Sequence, residues 1–243
     1  MTDYDLIVIG SGPAGHHAAI QGAKLGRRVA LVERQQCLGG VCINTGTIPS
    51  KTLREAVLYL SGVHQRGFYG VSYRVKPHIA MHDLMFRCHQ VIQREIDVYR
   101  AQFVRNGVDV LEGHAAFEDP HTIRVTAPSS SALFRADYFV IATGTAPARS
   151  RGVPTDHSAV IDSDGLFRLT DVPKSMIIVG GGVIGVEYAC MFSTLGIAVT
   201  LVDGRDRLLE FLDAEIVEAL IYHMRTTGVT FRLGEVEIGR AHV

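Results

Sequence analysis

One pattern occurs twice in this chain and constrains its fold more than any other feature. Residues 5 to 35 read DLIVIGSGPAGHHAAIQGAKLGRRVALVERQ, and residues 175 to 205 read SMIIVGGGVIGVEYACMFSTLGIAVTLVDGR. At an offset of 170, Gly10, Gly12 and Gly15 fall on Gly180, Gly182 and Gly185, Leu25-Gly26 falls on Leu195-Gly196, and Glu33 falls on Asp203. Each copy reads as an apolar strand, a Gly-x-Gly-x-x-Gly turn, a helix, a glycine and a second strand that ends in an acid. The first glycine makes a tight turn, the second lets backbone approach a pyrophosphate, and the third permits close strand–helix packing. The helix N-terminus then offers unpaired N–H groups and partial positive charge to phosphates. The acid, about 20 residues on, accepts a hydrogen bond from a ribose hydroxyl. Two complete units imply two dinucleotide sites.

Composition bounds the rest. At 243 residues the chain has room for one large or two small domains. A formal net charge of −1 argues against a nucleic-acid partner, which usually demands a basic stripe. The start, MTDYD, is acidic and runs directly into LIVIG, unlike the basic n-region of a signal peptide. The most apolar later window, MIIVGGGVIGVEYACMF, is broken by three adjacent glycines and Glu187, so no membrane span is expected. Four cysteines do not make a disulfide framework, and a reducing cytoplasm is the expected location.

Between the copies, TLREAVLYLSGV and HDLMFRCHQVIQREIDVYRAQFVRNGV read as helices. In the second, Leu84, Cys88, Ile92, Ile96, Tyr99 and Phe103 recur at spacings of three and four, which predicts a buried face with Cys88 as a small hydrophobe. The pieces VDVLEG, AAFED, TIRV and DYFVIATG, with a serine-rich tip APSSSA, predict a small meander before a final strand of the first sheet. TAPARSRGVP supplies a linker. The predicted fold class is α/β, with two Rossmann-like domains over 1–148 and 149–243 and a β-meander insertion.

Residues 39 to 51, GGVCINTGTIPSK, add a further motif. With both glycine turns, the ATG at Ala142, Thr143 and Gly144, and GGGVIGVEYA, the chain resembles the class I, FAD-dependent pyridine nucleotide-disulfide oxidoreductases. The resemblance implies FAD in 1–148, NAD(P)H in 149–243, and a C-terminal dimerisation domain that this chain lacks. In that family the helix carries cysteines at the positions of Cys42 and Thr47; here the second is threonine, which forms no disulfide. GGVCINTGTIPSKTLREAVLYLSG and RDRLLEFLDAEI resemble most the soluble, Si-specific NAD(P)+ transhydrogenases, which share that threonine. The implied activity is hydride transfer between NADPH and NAD+ through reduced flavin, without a redox-active disulfide, with NAD(H) and NADP(H) as substrates. Two alternatives stand beside it. One is a dihydrolipoamide-dehydrogenase-like NAD(P)H:acceptor reductase, or diaphorase; the other is a non-catalytic FAD/NADH-binding redox sensor.

The resemblance also assigns residues. In the first glycine loop, Gly10, Ser11, Gly12, Pro13, Ala14 and Gly15 contact FAD; Glu33 and Arg34 follow at its ribose. Gly39, Gly40, Val41, Cys42, Gly46, Thr47 and Lys51 surround the flavin. His114 and Ala115, in a G-x-A element that starts at Gly113, lie near the adenine, and Ala142, Thr143 and Gly144 complete the first site. In the second, Gly180, Gly182, Val183, Ile184 and Gly185 form the loop, with Asp203 at the ribose. Lys51 and Glu187 match the ion pair beside the flavin's reactive nitrogen and, with Cys42 and Thr47, are the candidate catalytic residues. No metal is expected.

Three points strain the resemblance. Cys37 and Cys42 repeat the C-x4-C spacing five residues early, but the intervening glycines are those the flavin occupies, so Cys37 is expected to be an incidental thiol. Asp203 suits the free ribose hydroxyl of NAD and repels the 2′-phosphate of NADP by about 4 kcal/mol per unit charge at ~4 Å and an effective dielectric near ~20; Arg205 and Arg207 either meet that phosphate, with Asp203 turned away, or are an ordinary solvated basic pair, and the sequence leaves both readings open. Family chains also continue well beyond this length. The chain is therefore expected to be an N-terminal piece, inactive alone, of a homodimer or higher homo-oligomer. Its ending EIGRAHV, from about Glu237, reads as foreign to the gene.

Overall fold

The computed structural model describes residues 2–148, 155 and 159–235. Most of the predicted linker and the whole EIGRAHV ending lie outside the described residues. The chain runs β1 (Thr2–Ile9), α1 (Pro13–Lys24), β2 (Val29–Glu33), α2 (Gly40–Asn44), α3 (Thr47–Ser61), α4 (Arg66–Tyr69), α5 (Met81–Asn106), β3 (Asp109–Glu112), β4 (His114–Asp119), β5 (Thr122–Ala127) and β6 (Ser130–Ile141). It continues β7 (Ser175–Val179), α6 (Val183–Thr194), β8 (Ala198–Asp203), α7 (Ala214–Thr226) and β9 (Thr230–Leu233). Two compact units result: Met1–Thr52 with Cys88–Ala146, and Leu53–Arg87 with Pro147–Val243.

The first unit is built on a six-stranded sheet of order β3-β2-β1-β6-β5-β4. β1 pairs in parallel with β2 and β6, and β2 in parallel with β3, while β4, β5 and β6 form an antiparallel meander. β2, VALVE, is buried at every residue, as expected of a parallel strand covered on both faces. Side chains alternate between those faces. Ile7, Ala30 and Val32 pack with Ile123 and Ala136 on one side; Val8, Val29 and Leu31 pack with Ala19 of α1 and Phe103 of α5 on the other. The periodicity predicted for α5 holds at Leu84, Cys88, Ile96 and Phe103, all buried.

The meander differs from expectation in two places. VDVLEG is not part of it: as β3 it extends the parallel sheet, with Val110 beside Leu31 of β2. Parallel pairing needs a long crossover rather than a hairpin, and α5 provides it. The serine-rich tip contracts to a two-residue turn at Pro128–Ser129, because Ser130 and Ser131 already pair with Ala127 and Thr126.

On α1, facing α5, is a buried histidine. His16 is stacked on Tyr99 at 3.9 Å between ring centroids, with Phe103 edge-on at 5.3 Å and His17 at 5.1 Å. Neither ring nitrogen finds a well-aligned hydrogen-bond partner. Burial pushes its pKa below the ordinary value of 6.5, with Gln102 opposing the shift and His17 adding to it. The unfolded chain therefore takes up this proton first, so stability is full above about 6.5 and declines as pH falls below it. Urea midpoints for wild type and His16→Phe should diverge between pH 7.5 and 5.5, the variant losing less; parallel pH profiles would rule the histidine out as the source.

The second unit holds a three-stranded parallel sheet of order β7-β8-β9. Asp213 caps α7 by accepting from the Glu215 N–H at 2.9 Å, the usual role of an N-cap carboxylate. Among the described residues β7 pairs on one side only, and its Ile177 and Val179 are 71% and 59% exposed, whereas β1 is flanked by strands on both sides. No helix among the described residues is long and apolar enough to cross a membrane.

Candidate nucleotide-binding sites

In the first unit the glycine loop joins β1 to α1, and each glycine has a distinct reason. Gly10 turns the chain at φ +107, and a methyl there would overlap the carbonyl of Ala142, just past β6. A methyl at Gly15 would overlap the carbonyl oxygen of Gly10, so this residue lets α1 close onto the strand. At Gly12 a methyl would meet nothing within 4 Å. That vacant approach, at the N-cap of α1, leaves the backbone open to a phosphate. No side chain caps α1 and Pro13 opens its first turn, so the helix N–H groups remain available to an anion.

Glu33, buried at the end of β2, fastens this loop. Its Oε2 accepts from the Ser11 N–H at 2.9 Å and the Ser11 hydroxyl at 2.6 Å, and its Oε1 accepts from the Gln35 N–H at 2.9 Å. An ionised carboxylate has about four acceptor positions, so one remains on Oε1 for a ribose hydroxyl. Ser11 Oγ in turn accepts from the Gly39 N–H at 2.9 Å, which draws the Gly39-Gly40 turn onto the loop. A methyl on Gly40, itself at φ +59, would come within 3.0 Å of Gly12 Cα. The Gly113 N–H donates to the Glu33 carbonyl at 2.9 Å, which sets the following His114 and Ala115 beside the same acid. The structure thus brings together Gly10, Ser11, Gly12, Gly15, Glu33, Gly39, Gly40 and Ala142. Pro13 and Ala14 open α1, Arg34 follows Glu33, and Thr143 and Gly144 follow Ala142, and no side-chain hydrogen bond fixes a role for any of them.

The GGVCINTGTIPSK stretch is not one helix. α2 ends at Asn44, whose Nδ2 donates to the carbonyls of Leu38 and Gly40 at 2.9 Å each, and α3 starts afresh at Thr47. The break falls at Thr45-Gly46, where the Gly46 N–H reaches back to the Val41 carbonyl at 2.6 Å. Cys42 and Thr47 therefore stand on different helices, Cys42 half-buried and Thr47 exposed. None of the four cysteines forms a disulfide, and Cys37 lies on the surface. Lys51 lies on α3 in the first unit, and Glu187 on α6 in the second.

The second unit repeats the loop at the same offset. The Gly180 N–H donates to Val202 at 2.8 Å as the Gly10 N–H donates to Val32 at 2.8 Å. Gly180 is at φ +111, a methyl at Gly185 would overlap the Gly180 carbonyl, and Gly182 faces open space at the N-cap of α6, followed by exposed Val183 and Ile184. Asp203 is buried and accepts from the Gly181 N–H, as Glu33 does from Ser11. It also accepts from the Arg205 N–H at 2.8 Å, as Glu33 does from Gln35. Here the copies part. The Arg205 side chain folds back onto the carboxylate, Nε to Oδ1 at 2.9 Å and Nη2 to Oδ2 at 2.7 Å. These hydrogen bonds hold the Asp203 carboxyl far below the usual carboxylate range and raise the guanidinium's pKa. Asp203 has not turned away: Arg205 has come to it, while Arg207 donates to the Leu212 carbonyl at 2.6 Å. The spacing that foretells this clasp is the acid followed two residues later by a donor, present in both copies.

Comparison with known proteins agrees with this geometry. Residues 4–238 match the family model described as pyridine nucleotide-disulphide oxidoreductase. The chain is 56% identical to a soluble pyridine nucleotide transhydrogenase of Mycobacterium tuberculosis over 99% of its own length and 53% of the relative's. It is 42% identical to one from Photobacterium profundum, over 96% of its length and 50% of the relative's. Among solved structures, the Cu(II) complex of the HOCl-induced flavoprotein disulfide reductase RclA from Escherichia coli aligns over 100% of this chain and 52% of that one, at TM-score 0.87 and 30% identity. The chain spans about half the length of the relatives it matches. With both glycine loops, both acids and the family match in hand, this chain belongs to the pyridine nucleotide-disulphide oxidoreductases.

Proposed function

We propose that the full-length protein is an FAD-dependent pyridine nucleotide transhydrogenase, passing hydride between NADPH and NAD+. The observation that carries this reading is the pair of complete loop-and-acid cradles in one chain, joined to a helix segment whose second thiol position is Thr47. Relatives that carry the transhydrogenase name support it. The first domain, 1–148, takes FAD: Gly12 and the uncapped start of α1 hold the pyrophosphate, Glu33 accepts from the ribose, and Gly39 and Gly40 bring backbone close enough to seat the rings. FAD supplies the two-electron chemistry that lets one nicotinamide give and another receive. The second domain, 149–243, takes the nicotinamide nucleotide through Gly182, the start of α6 and Asp203. By the family's pattern Lys51 would supply positive charge beside the flavin, and Glu187 matches the family's acidic counterpart to it. Cys42 and Thr47 line that face without exchanging electrons. The working form is a homodimer or higher homo-oligomer of the cytoplasm.

The test is direct. Purified full-length protein should be yellow and should reduce an NAD analogue with NADPH. Cys42→Ser should stay within about tenfold of wild type, equivalent to about 1.4 kcal/mol. A colourless preparation that cannot be reconstituted with FAD sinks the reading. A loss of orders of magnitude in Cys42→Ser, with flavin retained, would restore a thiol mechanism. Turnover with dyes but not with nicotinamide acceptors would make it a diaphorase.

A further inference from the structure

The two acids differ in what they have left to offer. Glu33 has three acceptor positions filled and one open. Asp203 has all four filled: Gly181 and Arg205 Nη2 on Oδ2, Arg205 N and Nε on Oδ1. Three of those four come from one residue, and two of the three from its half-exposed side chain. The backbone bonds cannot easily yield. Gly181 is wedged against buried Leu208, and the Arg205 and Asp203 carbonyls accept from Gly234 at 2.9 Å and Glu235 at 3.2 Å. The guanidinium can yield: its side chain is 43% exposed, against 7% for the carboxylate that it covers. A ribose hydroxyl that needs Asp203 must therefore displace the Arg205 side chain, whereas a 2′-phosphate meets that side chain first.

Resting on the transhydrogenase reading above, we propose that Arg205 is a two-position gate that lets one site accept both nucleotides. Folded onto Asp203, it neutralises the carboxylate and presents its outer N–H groups to a 2′-phosphate, which planar guanidinium suits. Swung out, it frees Asp203 to accept the 2′-hydroxyl of the unphosphorylated nucleotide. Glu210, whose charge also acts on Arg205, offers a nearby carboxylate to the displaced side chain. The repulsion expected of an acid at this position is thereby switched on and off by its own neighbour two residues along. Arg207 donates instead to the Leu212 carbonyl at 2.6 Å.

The experiment measures binding, not turnover, on full-length flavin-loaded protein. Calorimetric titrations with 2′,5′-ADP and with 5′-AMP compare wild type, Arg205→Ala and Arg205→Lys, with flavin absorbance as the folding check. Wild type should bind both. Arg205→Ala should lose roughly tenfold to a hundredfold for 2′,5′-ADP, the range for a charge-assisted hydrogen bond to an ionised group. It should hold or gain affinity for 5′-AMP, whose hydroxyl no longer competes for Asp203. Arg205→Lys keeps the charge but not the double clasp. It should keep most phosphate affinity and also bind 5′-AMP more tightly. Equal losses for both ligands, or none for either, in variants that retain flavin would overturn the gate while leaving the nucleotide site intact. Failure of wild type to bind either ligand would overturn the site itself.

Discussion

Replacing Gly15 with alanine should leave the full-length protein colourless and less stable. The added methyl would overlap the Gly10 carbonyl oxygen, a backbone atom that cannot rotate away. Relief requires α1 to lift from β1, and overpacking of this kind costs about 1–3 kcal/mol. The same movement withdraws the helix N-terminus from the pyrophosphate. Gly12→Ala is the informative contrast. Its methyl meets no protein atom within 4 Å, so the apo fold should survive with an unchanged melting temperature. Flavin affinity should still fall by tenfold or more, since the methyl occupies space meant for phosphate. Gly185→Ala should repeat the Gly15 result for nicotinamide nucleotides while the protein stays yellow. Absorbance of the purified variants and thermal melts decide it; if Gly15→Ala retains stoichiometric flavin, the packing argument is wrong.

The other large effect belongs to Glu33. Glu33→Ala strands the Ser11 N–H and hydroxyl and the Gln35 N–H, of which the Ser11 groups are fully buried. Each buried donor left unpaired costs about 1–3 kcal/mol, so destabilisation of several kcal/mol is expected before any ligand is considered. Glu33→Gln should fall between. Its amide oxygen can still accept from Ser11, while its NH2 group would face the Gln35 N–H, leaving about one donor unsatisfied. Urea unfolding of the apo proteins should rank wild type, Gln, Ala in that order. An alanine variant as stable as wild type would mean that the clasp contributes nothing to the loop.

What could be read from the sequence was whatever lies within one copy of the repeat. Glycines at 10, 12 and 15 and the acid at 33 are local in spacing and chemistry, and recurrence at 180, 182, 185 and 203 removed the ambiguity of a single match. What escaped was settled by partners distant in the chain. Ser11 was read as a contact to FAD, and its further bond to Gly39 was not legible because it spans 28 positions. VDVLEG carries the same alternation whether it joins a hairpin or a parallel sheet, and only the placement of α5 decides. The break at Thr45-Gly46 had its own signal in the Asn-Thr-Gly run, which holds poor helix formers, but the motif that surrounds it is read as a unit. Arg205 was visible as a charge; that it clasps Asp203 rather than waiting for it to turn follows from the buried setting of the acid.

β6 is twelve residues long, and its halves have different neighbours. Residues 130–135 are paired with β5 and residues 134–141 with β1, so the two ladders overlap at Phe134 and Arg135. The meander is thus no detachable appendage. Its amides and those beneath the glycine loop belong to one cooperative unit of unfolding, and solvent exchange at the hairpin is tied to exchange at the strand that sets Ala142 under Gly10. A change at Pro128 or Ser129 travels along a single continuous backbone to the glycine turn at Gly10.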